Sequence, residues 1–180
     1  IAIGETALYK NTSGSSNTAV GANALNYNTV GDWNTGIGVQ ALRSINSGDY
    51  NTALGGNAGY YLLSGSNNLF LGYGADATMA ATTSLSSAIA IGYNALVGCN
   101  NCMVLGGTDA DAVKVGIGTT SPYSILSISN SASTAVNTPL FTIASTTAGT
   151  ATSTLMTVLA NGNVGIGTTS PLNILHIRND

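Results

Sequence analysis

Apolar and small residues recur along the first three-fifths of the chain at a fixed interval. Ile3, Val20, Ile37, Leu54 and Leu71 fall seventeen residues apart, and each is followed at once by a glycine: Gly4, Gly21, Gly38, Gly55 and Gly72. Ala7, Ala24, Ala41, Ala58 and Ala75 stand three residues after those glycines. A second glycine column runs Gly14, Gly31, Gly48, Gly65, and an asparagine column runs Asn17, Asn34, Asn51, Asn68. Within one unit, Thr18, Val20, Ala22 and Ala24 alternate with Ala19, Gly21 and Asn23, a strand-like periodicity. β-Branched residues and glycines interrupt every window in which a helix would form. A period without insertions over five copies makes each copy one geometric unit stacked on the last. The pattern predicts a parallel β-solenoid or β-roll over residues 1–107, with coils about 4.8 Å apart. The glycines are expected at its corners.

The array loosens at its end. Ala90-Ile91-Gly92 follows the preceding unit at a spacing of twenty, and Val104-Leu105-Gly106 follows at fourteen. The extra residues lie in Ala77–Ser87, a link expected to bulge outward. From 108 to 180 a different pattern takes over. Val115-Gly116-Ile117-Gly118-Thr119-Thr120-Ser121-Pro122 recurs as Val164-Gly165-Ile166-Gly167-Thr168-Thr169-Ser170-Pro171. Each copy precedes a short apolar strand, Ile125–Ile128 or Ile174–Ile177, with the proline ending one strand and starting a turn. Leu140–Ala144 and Leu155–Ala160 read as further strands. Asn161-Gly162 between two such runs predicts a hairpin. The fold class is therefore all-β: solenoid repeats of period seventeen, then a β-hairpin-rich module.

Composition narrows the picture. Only 6% of the chain is charged, against 44% hydrophobic, and the net charge is −3. The apolar fraction is mostly alanine, so thin stacked layers are favoured over a thick core. Ordering each coil costs about 1–2 kcal/mol per residue for the backbone alone. So short a coil buries little against that cost, and several chains sharing one core are expected, most simply a homotrimer. The leucine column Leu8, Leu25, Leu42, Leu96 has no obvious place inside a narrow coil and is expected to face the three-fold axis. The four basic residues, Lys10, Arg43, Lys114 and Arg178, are scattered, which gives no footprint for nucleic acid. No apolar run reaches membrane-spanning length. The chain begins in register inside a repeat and ends directly after an apolar strand, so both ends read as cuts in a longer polypeptide.

The unit Asn17-Thr18-Ala19-Val20-Gly21-Ala22-Asn23-Ala24-Leu25 resembles the head repeats of trimeric autotransporter adhesins, which carry an Asn-Ser-x-Ala-Ile-Gly pattern. It is still more similar to the repeats of phage and environmental tail-fibre-like proteins. The resemblance implies a trimeric parallel β-roll, although adhesin head repeats are usually shorter. The Val-Gly-Ile-Gly-Thr-Thr-Ser-Pro unit resembles stalk repeats of tail-fibre proteins and of long bacterial surface proteins. Together these imply a fibre shaft after the roll and an extracellular place, on a cell surface or a virion.

Candidate chemistry is sparse. Gly116-Ile117-Gly118 lacks the third glycine and the following helix of a dinucleotide loop, and reads as a β corner. Cys99 and Cys102 lack a redox-fold context and are too few for structural zinc. They are expected to form a local disulfide, with interchain pairing or free thiols as the alternatives. His176 has no catalytic partner nearby in sequence. Asp109 and Asp111 read as loop carboxylates rather than ion ligands. No catalytic set, cofactor site or metal cluster can be assembled. Tyr9, Tyr27, Trp33, Tyr50, Tyr60, Tyr61, Tyr73 and Tyr93 lie in or beside the links. Trp33 and Tyr50 are the candidate glycan contacts. The expected function is a non-enzymatic structural segment of an extracellular fibre that self-associates as a trimer or filament. The alternative is the glycan- or receptor-binding part of a tail fibre or adhesin.

Overall fold

The computed structural model describes residues 1–78, 84–108, 111–129, 136–147 and 151–178. The chain divides into two compact units, Ile1–Val113 and Lys114–Asp180. The first extends past residue 107 because Asp111 and Val113 lie against the array. A Cβ on Gly106 would lie 2.9 Å from the Val113 nitrogen, and Asn94 Nδ2 donates to Asp111 Oδ2 at 2.9 Å.

In the first unit the strands are β1 (Ala2–Ile3), β2 (Thr18–Val20), β3 (Thr35–Ile37), β4 (Thr52–Leu54), β5 (Leu69–Leu71), β7 (Ile89–Ile91) and β9 (Met103–Leu105). They form one seven-stranded parallel sheet in sequence order, a β-solenoid of about six turns. Equivalent residues lie side by side: Thr18 with Thr35 with Thr52, and Val20 with Ile37 with Leu54. The register survives the altered spacing, since Leu71 pairs with Ile91 and Ile91 with Leu105. A small second sheet pairs β6 (Asp76–Ala77) with β8 (Leu96–Val97). Of the Ala77–Ser87 link, residues 79–83 lie outside the described residues, while Ala77 and Leu85 are buried rather than bulged.

The core lies within the coil of the single chain, which corrects the expected place of Leu25 and Leu42; Leu8 is partly buried against that core and Leu96 is 47% exposed. Leu25 and Leu42 are each 0% exposed. Their left-handed backbones (φ 50° for both) turn the side chains into the coil instead of toward an external axis. They meet the middle residues of the strands, Ala19, Gly36, Ala53 and Phe70, which point inward. Volumes compensate across this contact: Leu25 Cγ lies 3.3 Å from where a Cβ on Gly36 would sit. One turn on, Phe70 and Leu42 fill the space above Gly59, so the leucine column carries a glycine there. Flanking the inward residue, the strand-end column Val20, Ile37, Leu54, Leu71 faces out.

Two glycine columns permit the stacking. Gly55 (φ 134°) has a backbone that side chains rarely adopt, and a Cβ on it would lie 2.6 Å from the Gly72 carbonyl oxygen. Gly31 has ordinary φ, but its Cβ would collide with the Gly48 carbonyl and come within 2.5 Å of Asn28 Oδ1. Here close approach, not dihedral freedom, requires glycine. The asparagine column is a buried ladder. Asn34, Asn51, Asn68 and Ala88 each donate a backbone N–H to the side-chain oxygen one turn below, at 2.8 to 3.1 Å.

In the second unit β10 (Val115–Ile117) pairs in parallel with β11 (Leu126–Ile128). β12 (Pro139–Thr147), β13 (Ala151–Leu159), β14 (Val164–Ile166) and β15 (Leu175–Ile177) form a four-stranded sheet in chain order. β12–β13 and β13–β14 are antiparallel and β14–β15 is parallel. The Asn161-Gly162 turn joins β13 to β14, with Gly162 at φ 89° donating to the Leu159 carbonyl at 2.9 Å. The two copies of the eight-residue repeat fold alike. Val115 pairs with Leu126 and Val164 with Leu175, and Ser121 and Ser170 N–H donate to Thr119 and Thr168 Oγ1 at 3.2 Å. Each loop folds over its middle glycine, so that a Cβ on Gly116 would lie 2.8 Å from the Thr119 carbonyl oxygen. That compact loop is how two parallel strands are joined without the long crossover such pairs ordinarily need.

Candidate interaction surfaces

The outer face of the seven-stranded sheet is apolar. Ile37, Leu54 and Leu105 are 38%, 46% and 43% exposed. Ile3, Val20, Leu71 and Ile91 continue the same column in register. Beside it the Thr18, Thr35, Thr52 column turns apolar at Leu69, Ile89 and Met103. Two adjacent ladders, one apolar throughout and one passing from threonine to apolar residues, thus face outward over about six strand spacings, roughly 29 Å. The period of two that makes Ala19 and Ala53 inward makes these residues outward.

A second feature lies where the corner changes shape. In the earlier turns Lys10 N–H donates to the Asn26 carbonyl and Tyr27 N–H to the Arg43 carbonyl, each one turn on. The equivalent donor, Tyr61 N–H, instead finds Asp76 Oδ2 at 2.9 Å. The chain at Asp76–Ala77 has become strand β6, and the carboxylate replaces the backbone carbonyl that strand formation turns away. Ala77 N–H donates to Asp76 Oδ1 at 2.7 Å. Asp76 is only 3% exposed. Burial pushes its carboxyl up to about 7, against the opposing pull of the Tyr61, Ala77 and Tyr60 N–H groups.

Next to Asp76 opens a cleft of about 540 Å³ whose walls include Tyr60, Tyr61, Tyr73, Asn57, Asn94 and Asp111. Tyr60 and Tyr61 meet edge to face, with centroids 4.9 Å apart and planes at 82°. Tyr73 stacks on Tyr93 at 5.9 Å, and Asn57 Nδ2 donates to its hydroxyl at 3.3 Å. Arg43 stands behind Tyr60, donating to the phenolic oxygen at 2.8 Å. Asp76 was not singled out by the sequence reading. Its signal was present, as a charged residue in the column of Leu8, Leu25 and Leu42.

Trp33 and Tyr50 occupy one column, 57% and 58% exposed, with rings nearly parallel (8°) and centroids 6.3 Å apart. They stack on each other, which covers one face of each ring. Ser15 one turn away donates both N–H and hydroxyl to Asp32, beside Trp33, and holds that carboxyl below its ordinary value. Cys99 and Cys102 are joined by a disulfide on the last turns of the array. His176 accepts a hydrogen bond from the Leu172 N–H at 3.4 Å. Asp109 lies outside the described residues, and Asp111 is held by Asn94.

Among the described residues no three His, Cys, Asp or Glu side chains are grouped to hold a metal ion. No helix among them is long and apolar enough to cross a membrane. No protein-family model, curated protein or solved structure matches the chain.

Proposed function

We propose that the chain is a structural segment of an extracellular fibre whose copies associate, as a homotrimer, through the outer face of the solenoid sheet. The observation that carries this reading is the apolar ladder on that face, centred on Ile37, Leu54 and Leu71, beside a second ladder that passes from Thr52 to Leu69 and Ile89. An exposed apolar surface of that length, on a chain with few charged residues, supports an interface between copies. The turn-on-turn pairing supports a stiff element, because each coil is held by its neighbours and no ligand is needed to order it. The resemblance of the repeats to adhesin heads and tail-fibre stalks points the same way. The experiment is mass in solution by light scattering, on the wild-type chain and on Ile37→Lys/Leu54→Lys. A trimer that dissociates in the variant with its circular dichroism unchanged supports the reading. A monomeric wild-type chain overturns it.

A further inference from the structure

We propose that the cleft walled by Tyr60, Tyr61 and Tyr73 is a binding site for a neutral saccharide. The assignment is independent of the fibre reading, since the site is built within one chain and lies at the corner of the coil. Three properties carry it.

The first is aromatic surface. Tyr61 and Tyr73 are about half exposed, and the right angle between Tyr60 and Tyr61 gives the cleft two ring walls. A pyranose has an apolar C–H face that lies against such a ring, with its hydroxyls directed around the edge.

The second is the kind of polar group at the rim. The Gln40 side-chain amide, Asn57 Oδ1, the Tyr61 hydroxyl and Asp111 Oδ1 are all without hydrogen-bond partners among the described residues. This set mixes donors and acceptors, and sugar hydroxyls need both at once.

The third is charge. Asp76 and Asp111 lie in the lining and no Lys or Arg does. Anionic sugars, sialylated or sulfated, would meet carboxylate without a compensating cation. The volume, about 540 Å³, falls in the range of small-molecule sites. The walls come from consecutive turns locked by the ladder, so little ordering is required on binding.

The full chain is screened against neutral, sialylated and sulfated oligosaccharides, and hits are titrated by calorimetry. Variants are Tyr61→Ala, Gln40→Ala, Trp33→Ala and Tyr50→Ala, each checked by circular dichroism. A neutral glycan is expected to bind, about tenfold more weakly in Tyr61→Ala and several-fold more weakly in Gln40→Ala. The Trp33 and Tyr50 variants are expected to bind as the wild type does. Should Tyr61→Ala fail to fold, Gln40→Ala decides, because that side chain makes no internal bond. Absence of any neutral-glycan binding overturns the proposal. So does preference for an anionic glycan, competition by tetramethylammonium, or loss on changing Trp33 with retention on changing Gln40.

Discussion

Asn51 donates both its backbone N–H and its side-chain Nδ2 to a single atom, the Oδ1 of Asn34 one turn below, each at 3.0 Å. Nδ2 also reaches the Gly65 carbonyl at 2.9 Å, while Asn51 Oδ1 receives the same double donation from Asn68 at 3.1 and 2.8 Å. One buried amide thus ties three turns together. Asn51→Ala is expected to orphan the Gly65 carbonyl and the Asn68 N–H, at about 1–3 kcal/mol each. Asn51→Asp should be worse, since a carboxylate has no N–H for Gly65 and faces Asn34 Oδ1 with a negative charge. Urea unfolding monitored by circular dichroism reads both. A loss below about 0.5 kcal/mol for Asn51→Ala would show the ladder to be incidental.

Leu42→Ala separates an inner core from an outer seam. Leu42 is fully buried in its own chain, packed above Gly59 and Phe70. Truncation should cost roughly 2–5 kcal/mol of unfolding free energy. Leu54→Ala, on the outer face, should cost much less in a dissociated chain and act instead on the mass in solution. Equal effects of the two on unfolding of the dissociated chain would contradict the inside–outside assignment.

Gly55→Ala tests the spine of the coil. The new Cβ would sit 2.6 Å from the Gly72 carbonyl at a backbone φ of 134°. Neither clash nor strain can relax without opening the next turn. A loss of about 4 kcal/mol or more is expected, in the range reserved for specific steric faults. Thermal melts compared with Gly162→Ala separate the two effects, because a Cβ there meets nothing within 4 Å and only the strain of its φ of 89° remains; Gly55→Ala should lose clearly more.

The sequence showed its period plainly because every turn is the same object. Parallel pairing in register follows from Ile3, Val20 and Ile37 falling at one interval. What it concealed was the sense of the alternation. A period of two names two faces without saying which is inside, and the leucine column looked too large for a narrow coil. The inward places belong to Ala19 and Ala53 because Leu25 and Leu42 already fill the coil. That filling depends on left-handed backbones at two leucines, a conformation disfavoured locally and imposed by hydrogen bonds from neighbouring turns. The cleft was hidden for a related reason. Tyr60, Tyr61 and Tyr73 were visible as aromatics in links, but their convergence depends on the corner unwinding into a strand at Asp76.

The Cys99–Cys102 bridge closes a loop of very few residues. Chain-entropy reasoning gives so short a loop only about 2 kcal/mol. Cys99→Ser with Cys102→Ser should therefore lower the thermal midpoint modestly and leave the sheet intact, because the Cys102 carbonyl still accepts from Ile89 N–H at 2.9 Å. Collapse of the β signature on reduction would mean that the bridge organises the end of the array.

Asp76 makes stability depend on pH. In the unfolded chain its carboxyl titrates near the ordinary value of 3.8, and in the folded chain at about 7, because burial disfavours the anion. The folded state therefore binds more protons between those values. The stabilisation is fully present below the unfolded value and is lost as pH rises through the folded one. The slope should approach about 1.4 kcal/mol per pH unit inside that window. Asp32 acts oppositely, but its carboxyl is shifted down by Ser15, so its influence lies at lower pH. Urea midpoints should consequently be higher near about pH 5 than near about pH 8. Asp76→Asn keeps a side-chain oxygen for the Tyr61 or Ala77 N–H and removes the titration. Its midpoint should be nearly flat across the same interval. A wild-type midpoint that rises with pH, or an equal slope in the Asn variant, would assign the dependence to another group.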